Sequence, residues 1–174
     1  MWEKALGAGL LSLLAVASQA PAERPPSHPR EALHYICLQM EQEALENGQG
    51  LGMALVADRN GFPGPRHILD MKKQLQLSSD QERKVQELFD RMHTRAVVLG
   101  KEVLAKEAAL EHLFSADEPD EAGVRRLLAE SAALRTQLRW VHLSAHLEAR
   151  GMLTPEQLHL YHAARYASGT HAHY

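Results

Sequence analysis

His142 and His146 stand four residues apart in a segment of helical periodicity, which stacks two imidazoles one turn apart on one helix face. Imidazole nitrogen serves Zn, Cu, Ni and Co alike, and the affinity order of these ions gives no selectivity by itself. Two ligands on one helix make a weak site, so other segments or a second subunit must contribute. His67 follows Pro65 at the start of a short helix. His93 lies one turn after Asp90, and that pair offers a nitrogen and an oxygen; Glu87 is a further oxygen donor. Each of these residues also has a purely structural reading. His142 and His146 follow Val141 and Ala145 on a flank shared with Arg135 and Arg139, as in a solvated helix edge, and His67 and His93 suit a cap or a surface position.

The chain carries 11 histidines in 174 residues, and not all of them group. His159 and His162 lie three apart beside Tyr161. His171 and His173 fall in the C-terminal tail, where metal capture is loose, and His28 and His34 have no evident partner. The methionines, Met40, Met53, Met71, Met92 and Met152 among them, are scattered, as packing residues are, and no Met-x-x-Met run favours Cu(I). The single cysteine, Cys37, allows no internal disulfide; it reads as a small buried apolar residue or as one half of an intermolecular bridge. There is no nucleophile elbow, P-loop, haem-attachment motif or HExxH, so no catalytic residues, no enzyme activity and no organic cofactor are expected.

Helices must position these groups. Leu77-Ser78-Ser79-Asp80-Gln81 and Leu153-Thr154-Pro155-Glu156-Gln157 are two copies of one pattern, a leucine, a hydroxyl residue, two spacers and a glutamine. Each is a capping box. The hydroxyl accepts from the N3 amide, the glutamine reaches back to the N-cap amide, and Pro155 at N1 needs no amide proton. The first box opens a long helix over residues 79–114, with Val85, Leu88, Met92, Ala96, Leu99, Val103, Leu110 and Leu113 as its stripe. Asp117 and Pro119 break the pattern, and a second long helix runs over 121–150 with Val124, Leu127, Ser131, Leu134, Leu138, Val141 and Ala145. A short loop between two long amphipathic helices makes an antiparallel hairpin. Gly151 ends the second helix, and the second box opens a last one over 155–166. An earlier helix, 30–47, shows Leu33, Ile36, Cys37, Met40 and Ala44 at three-four spacing. Between it and the first box, the run GLGMALVADRNGFPGP reads as a compact structured turn. It contains a short helix over 53–58, an Asn60-Gly61 cap and a second short helix from Pro65.

The fold expected is all-α: a long antiparallel hairpin with short N- and C-terminal helices in a four-helix arrangement, a homodimer, or both. Residues 1–22 read as a signal peptide cleaved after Ala22; the apolar core over 5–17 is short of the roughly 20 residues a bilayer span requires. The alternative is an uncleaved anchor. Residues 23–29 are a Pro-rich leader expected to be disordered, 30–166 the helical domain and 167–174 a frayed tail. The expected location is the periplasm. Export and a net charge of −3 with interspersed signs argue against a nucleic-acid partner.

The ordered set of motifs resembles the Spy/CpxP family of periplasmic proteins, in the branch of heavy-metal sensor and resistance proteins similar to CnrX and ZraP. The residues that carry the resemblance are the paired boxes, the run from Gly52-Met53 to Pro65 with Phe62 where Tyr is usual, Glu87-Leu88-Phe89-Asp90-Arg91-Met92, and His142-x-x-x-His146 ahead of the second box. The resemblance covers roughly residues 50–166. It implies an all-helical hooked hairpin that dimerises, and one of two roles: binding Ni, Co, Zn or Cu and reporting to a signalling partner in the inner membrane, or holding unfolded client proteins without ATP. Two departures stand out. The chain is slightly acidic where the chaperone branch presents basic surfaces, and His146 stands where the sensor branch has a methionine, so imidazole replaces a thioether.

Overall fold

The computed structural model describes residues 29–166, with side chains over 33–165. The signal peptide, most of the leader and the tail of the preceding section, with His28, His171 and His173, lie outside the described residues. The chain divides into two compact units, residues 1–35 and 36–174. Of the first, the described residues are the opening turns of a helix.

Every regular element among the described residues is helical. They run α1 (Pro29–Glu46), α2 (Leu55–Arg59), α3 (Pro65–Asp70), α4 (Ser79–Phe114), α5 (Glu121–Arg150) and α6 (Pro155–Tyr166). The all-α expectation and the long helix pair hold. No described helix is long and apolar enough to cross a membrane.

The two boxes form as their spacing dictates. Ser78 Oγ accepts from the Gln81 amide at 3.2 Å while Gln81 Oε1 accepts from the Ser78 amide at 3.1 Å. Thr154 and Gln157 repeat the exchange at 3.2 and 3.0 Å. Their pairing is a tertiary feature that local spacing does not encode. Gln81 Nε2 donates to Gln157 Oε1 at 2.8 Å, and Gln157 Nε2 donates back to Gln81 Oε1 at 3.1 Å. The same nitrogens reach the Met152 carbonyl (2.9 Å) and the Leu75 carbonyl (3.1 Å). Two helix N-termini are thereby clasped to each other at the base of the hairpin.

α4 and α5 pack antiparallel, as the cross-links Arg91–Glu148 and Lys106–Glu130 show. α5 begins at Asp120, whose carboxylate accepts from the Ala122 amide at 3.1 Å. At the base the core holds Ile68, Leu75, Val85, Leu88, Ala145, Ala149, Leu153 and Tyr161. A second cluster, Leu45, Ala96, Leu99, Val103 and Leu138, lies further along the hairpin. The last turn of α1 docks there, so close that a Cβ on Gly100 would fall on the Leu45 carbonyl.

Two expectations about α1 need correction. Its stripe is not a buried face: Ala44 is buried, but Leu33, Ile36 and Met40 are at least half exposed. Cys37 is exposed as well, not a buried packing residue. Within the second unit, the described contact of α1 with α4 is made by its last turn, at Leu45.

Between α1 and α3 the chain turns sharply. α2 begins two residues later than expected, because the 51–54 stretch is taken up by turns. It ends in a Schellman motif: Gly61 has φ +79°, the Phe62 amide donates to the Ala57 carbonyl at 3.0 Å, and the Gly61 amide donates to that of Asp58 at 3.1 Å.

Candidate metal centre

α5 carries His142, His146 and Arg150 at successive steps of four, hence on one face. The run 50–64 lies across that face. Its glycines allow the backbone to touch the rings. A Cβ on Gly50 would stand 3.2 Å from His142 Nδ1, one on Gly64 would stand 2.7 Å from His146 Nε2, and Gly61 abuts His162 of α6. This strap turns what reads as a helix edge into an interior: His142 is 5% exposed and His146 9%. The solvated-edge reading of this pair is therefore corrected.

His146 Nδ1 lies 2.7 Å from the Phe62 carbonyl oxygen. A carbonyl can only accept, so Nδ1 carries the proton and the neutral ring keeps its lone pair on Nε2. His142 Nε2 is buried without a hydrogen-bond partner. Burial, then the neighbouring imidazoles of His146 and His93, push the His142 ring down to a pKa of about 4. Burial likewise lowers that of His146, against the opposing pull of the Phe62 carbonyl and the Asp58 charge. Both rings are neutral at physiological pH, the state a metal requires of them.

Beside them sits a second polar group. The Tyr161 hydroxyl donates to Asp58 Oδ1 at 2.8 Å, Arg165 Nη2 donates to Oδ2 at 2.6 Å, and His67 Nδ1 lies 3.4 Å from Oδ1. Burial opposes ionisation of Asp58, but the hydrogen bonds from His67 and Tyr161 and the electrostatic pull of the His67 imidazole and the Arg165 guanidinium outweigh it and hold the carboxyl well below its usual range. The tyrosine is fully buried. This group ties the strap to α3 and α6.

Four of the six sequence candidates thus gather on this side of the hairpin: His142 and His146 under the strap, His93 close enough to perturb His142, and His67 close enough to perturb His146. His93 does not pair with Asp90; its ring stacks on Phe89 with centroids 5.6 Å apart. Glu87 and Asp90 lie on the exposed part of α4, engaged with Arg83 at 2.7 Å and Gln86 at 2.8 Å. Asp58, Tyr161, Arg150 and Arg165 were not singled out as site residues from sequence. Their partners lie far along the chain, and the only local signal was the unusual glycine content of the 50–64 run.

The orphaned His142 nitrogen and the lone pair left on His146 fit a transition metal as two imidazole donors. Among the described residues, no three His, Cys, Asp or Glu side chains converge closely enough to hold an ion together. The arrangement is a pair of buried imidazoles, not a closed coordination sphere.

The chain belongs to the heavy-metal resistance family, the Spy/CpxP-like family its motifs resemble, whose model matches residues 5–159. Proteins of this family are typically extracellular or periplasmic. No curated protein and no solved structure matched the chain.

Proposed function

We propose that this protein is a periplasmic sensor or resistance protein that binds a divalent transition metal, Ni, Co, Zn or Cu, and acts by binding, not by catalysis. The observation that carries this reading is the buried His142 Nε2 with no partner, next to a second imidazole whose proton is committed to a carbonyl. A buried unsatisfied nitrogen costs about 1–3 kcal/mol, a penalty that a metal ligand at that atom would remove. Metal-binding histidines commonly hold their second nitrogen on a backbone carbonyl, as His146 does. The ions named all accept imidazole. Further donors must be recruited, from His67 or His93 by movement of the strap, from water, or from a partner subunit.

Calorimetric titration of the mature protein with each of the four ions is the test. Binding is expected for at least one ion, with the affinity reduced at least tenfold in the His142→Ala/His146→Ala variant. Undiminished binding in that variant would mean the site lies elsewhere.

A second reading is an ATP-independent holdase for unfolded clients, favoured by the exposed apolar side chains Ile36, Met40, Val98, Trp140 and Leu147. Suppression of client aggregation by metal-free protein at stoichiometric amounts supports it; no protection at several-fold excess rejects it. The bare face of α1 also suits a homodimer, and light scattering of the mature protein reads that directly.

A further inference from the structure

A histidine offers two nitrogens, and a metal site must choose one. At His146 the choice is made by the Phe62 carbonyl, 2.7 Å from Nδ1. Phe62 is not part of a helix or strand, so its carbonyl needs its own anchor. Arg150 supplies one. Its Nη1 donates to the Gly61 carbonyl at 2.5 Å, and its guanidinium lies 4.6 Å from the centroid of the Phe62 ring. Arg150 and His146 are four residues apart on α5, so one rigid helix face grips the Gly61-Phe62 backbone at two points. The guanidinium is suited to this, since it is planar, stacks on an aromatic face and donates from its edge at the same time. We propose that Arg150 is a positioning residue that fixes His146 as the Nδ1–H tautomer through the Gly61-Phe62 backbone, and so presents Nε2 as the ligand atom.

This inference rests on the metal-binding reading for its purpose, but its physical content can be read in metal-free protein. Without the arginine, the strap keeps its internal Schellman bonds and is still tethered to α6 by Asp58, so the fold has other support. What is lost is the fixed height of one carbonyl above one ring. The His146 ring is then free to exchange its proton between the two nitrogens or to turn.

The experiment uses the full mature chain, treated with chelator, at a pH where its imidazoles are neutral. Long-range proton–nitrogen correlation spectra assign the His146 tautomer from its ring nitrogen shifts. The parent is expected to show Nδ1–H alone. Arg150→Met should show a mixture with Nε2–H, and its Zn and Ni affinities should fall about tenfold, the scale of lost outer-sphere support. Arg150→Lys, which can still donate to Gly61 but cannot stack, should fall between the two. Phe62→Leu keeps the carbonyl and the Gly61 bond and should also be intermediate, which gives a second route if Arg150→Met fails to fold. A pure Nδ1–H tautomer in both Arg150→Met and Phe62→Leu overturns the proposal, even if metal affinity falls. A tautomer shift in a protein that binds no metal leaves the positioning role standing and removes the metal-binding reading instead.

Discussion

The clasp between the two capping boxes can be weighed by a double-mutant cycle. Gln157 is buried and its side chain takes part in four hydrogen bonds: it accepts from the Thr154 amide, exchanges two bonds with Gln81, and donates to the Leu75 carbonyl. At about 1 kcal/mol net per bond, with buried groups left unsatisfied, Gln157→Ala should cost about 3–5 kcal/mol. Gln81→Ala removes the same two cross-bonds, its own cap and the Met152 contact, but from a more exposed position, so about 2–3 kcal/mol is expected. The two residues share two bonds, and the coupling between them should therefore be about 1–3 kcal/mol. A domain of this kind has a total stability of about 5–15 kcal/mol, so the effect is large. Urea unfolding of the parent, both single variants and the double variant, followed by far-UV circular dichroism, gives all four corners. If the costs simply add, with a coupling under about 0.5 kcal/mol, the boxes cap their own helices independently and the clasp contributes nothing.

Two further outcomes follow from the packing. The unfolded chain protonates His142 near 6.5 while the folded chain does so only at about 4. The unfolded state therefore binds the extra proton between these values, and His142 alone should cost metal-free protein about 3 kcal/mol of stability as pH falls through that window, with His146, also lowered by burial, acting in the same direction. Asp58, held low by its hydrogen bonds and by Arg165, gives up its share only below the usual carboxylate range and leaves the window clear. Urea midpoints across the window, compared with those of His142→Leu, check this; equal slopes in the two proteins would refute it. Gly100→Ala would drive a methyl group into the Leu45 carbonyl, between two backbones that cannot yield. It should cost about 1–3 kcal/mol and speed amide exchange over the last turns of α1 while α6 stays protected. Unchanged exchange there would mean that the docking of α1 is not tight.

The long helices were legible because their signals are local. Ser78 and Thr154 each stand within a turn of the amide they cap, and Gly151 and Pro155 punctuate the chain between α5 and α6. The Schellman end of α2 was written in Asn60-Gly61-Phe62. The apolar stripes of α4 and α5 identified a hairpin, and most of their central positions are buried. What the sequence hid depends on one segment lying over another. Whether the flank that holds His142 and His146 is wet or dry is decided by the strap, whose contact works through glycine backbone and leaves no hydrophobic pattern to read. The Asp58–Tyr161 bond joins residues 103 positions apart, and no spacing rule reaches that distance. The stripe of α1 misled for the opposite reason: a regular pattern shows that a face could be covered, not that this chain covers it.

The clasp has a mechanical consequence. α4 is pinned at its start by the Gln81–Gln157 exchange, and its last buried residue is Val103, well short of its end at Phe114. The hairpin is thus clasped at its root, while α4 is only partly covered towards its tip. From His146 to the far end of α5 at Glu121 is about 40 Å at 1.5 Å per residue. A rotation of one degree about the imidazole pair carries that far end through about 0.7 Å, by the same rise. A disturbance too small to break any contact at the root is thus magnified along the arm, and the tip is where a displacement begun at the histidines would be largest.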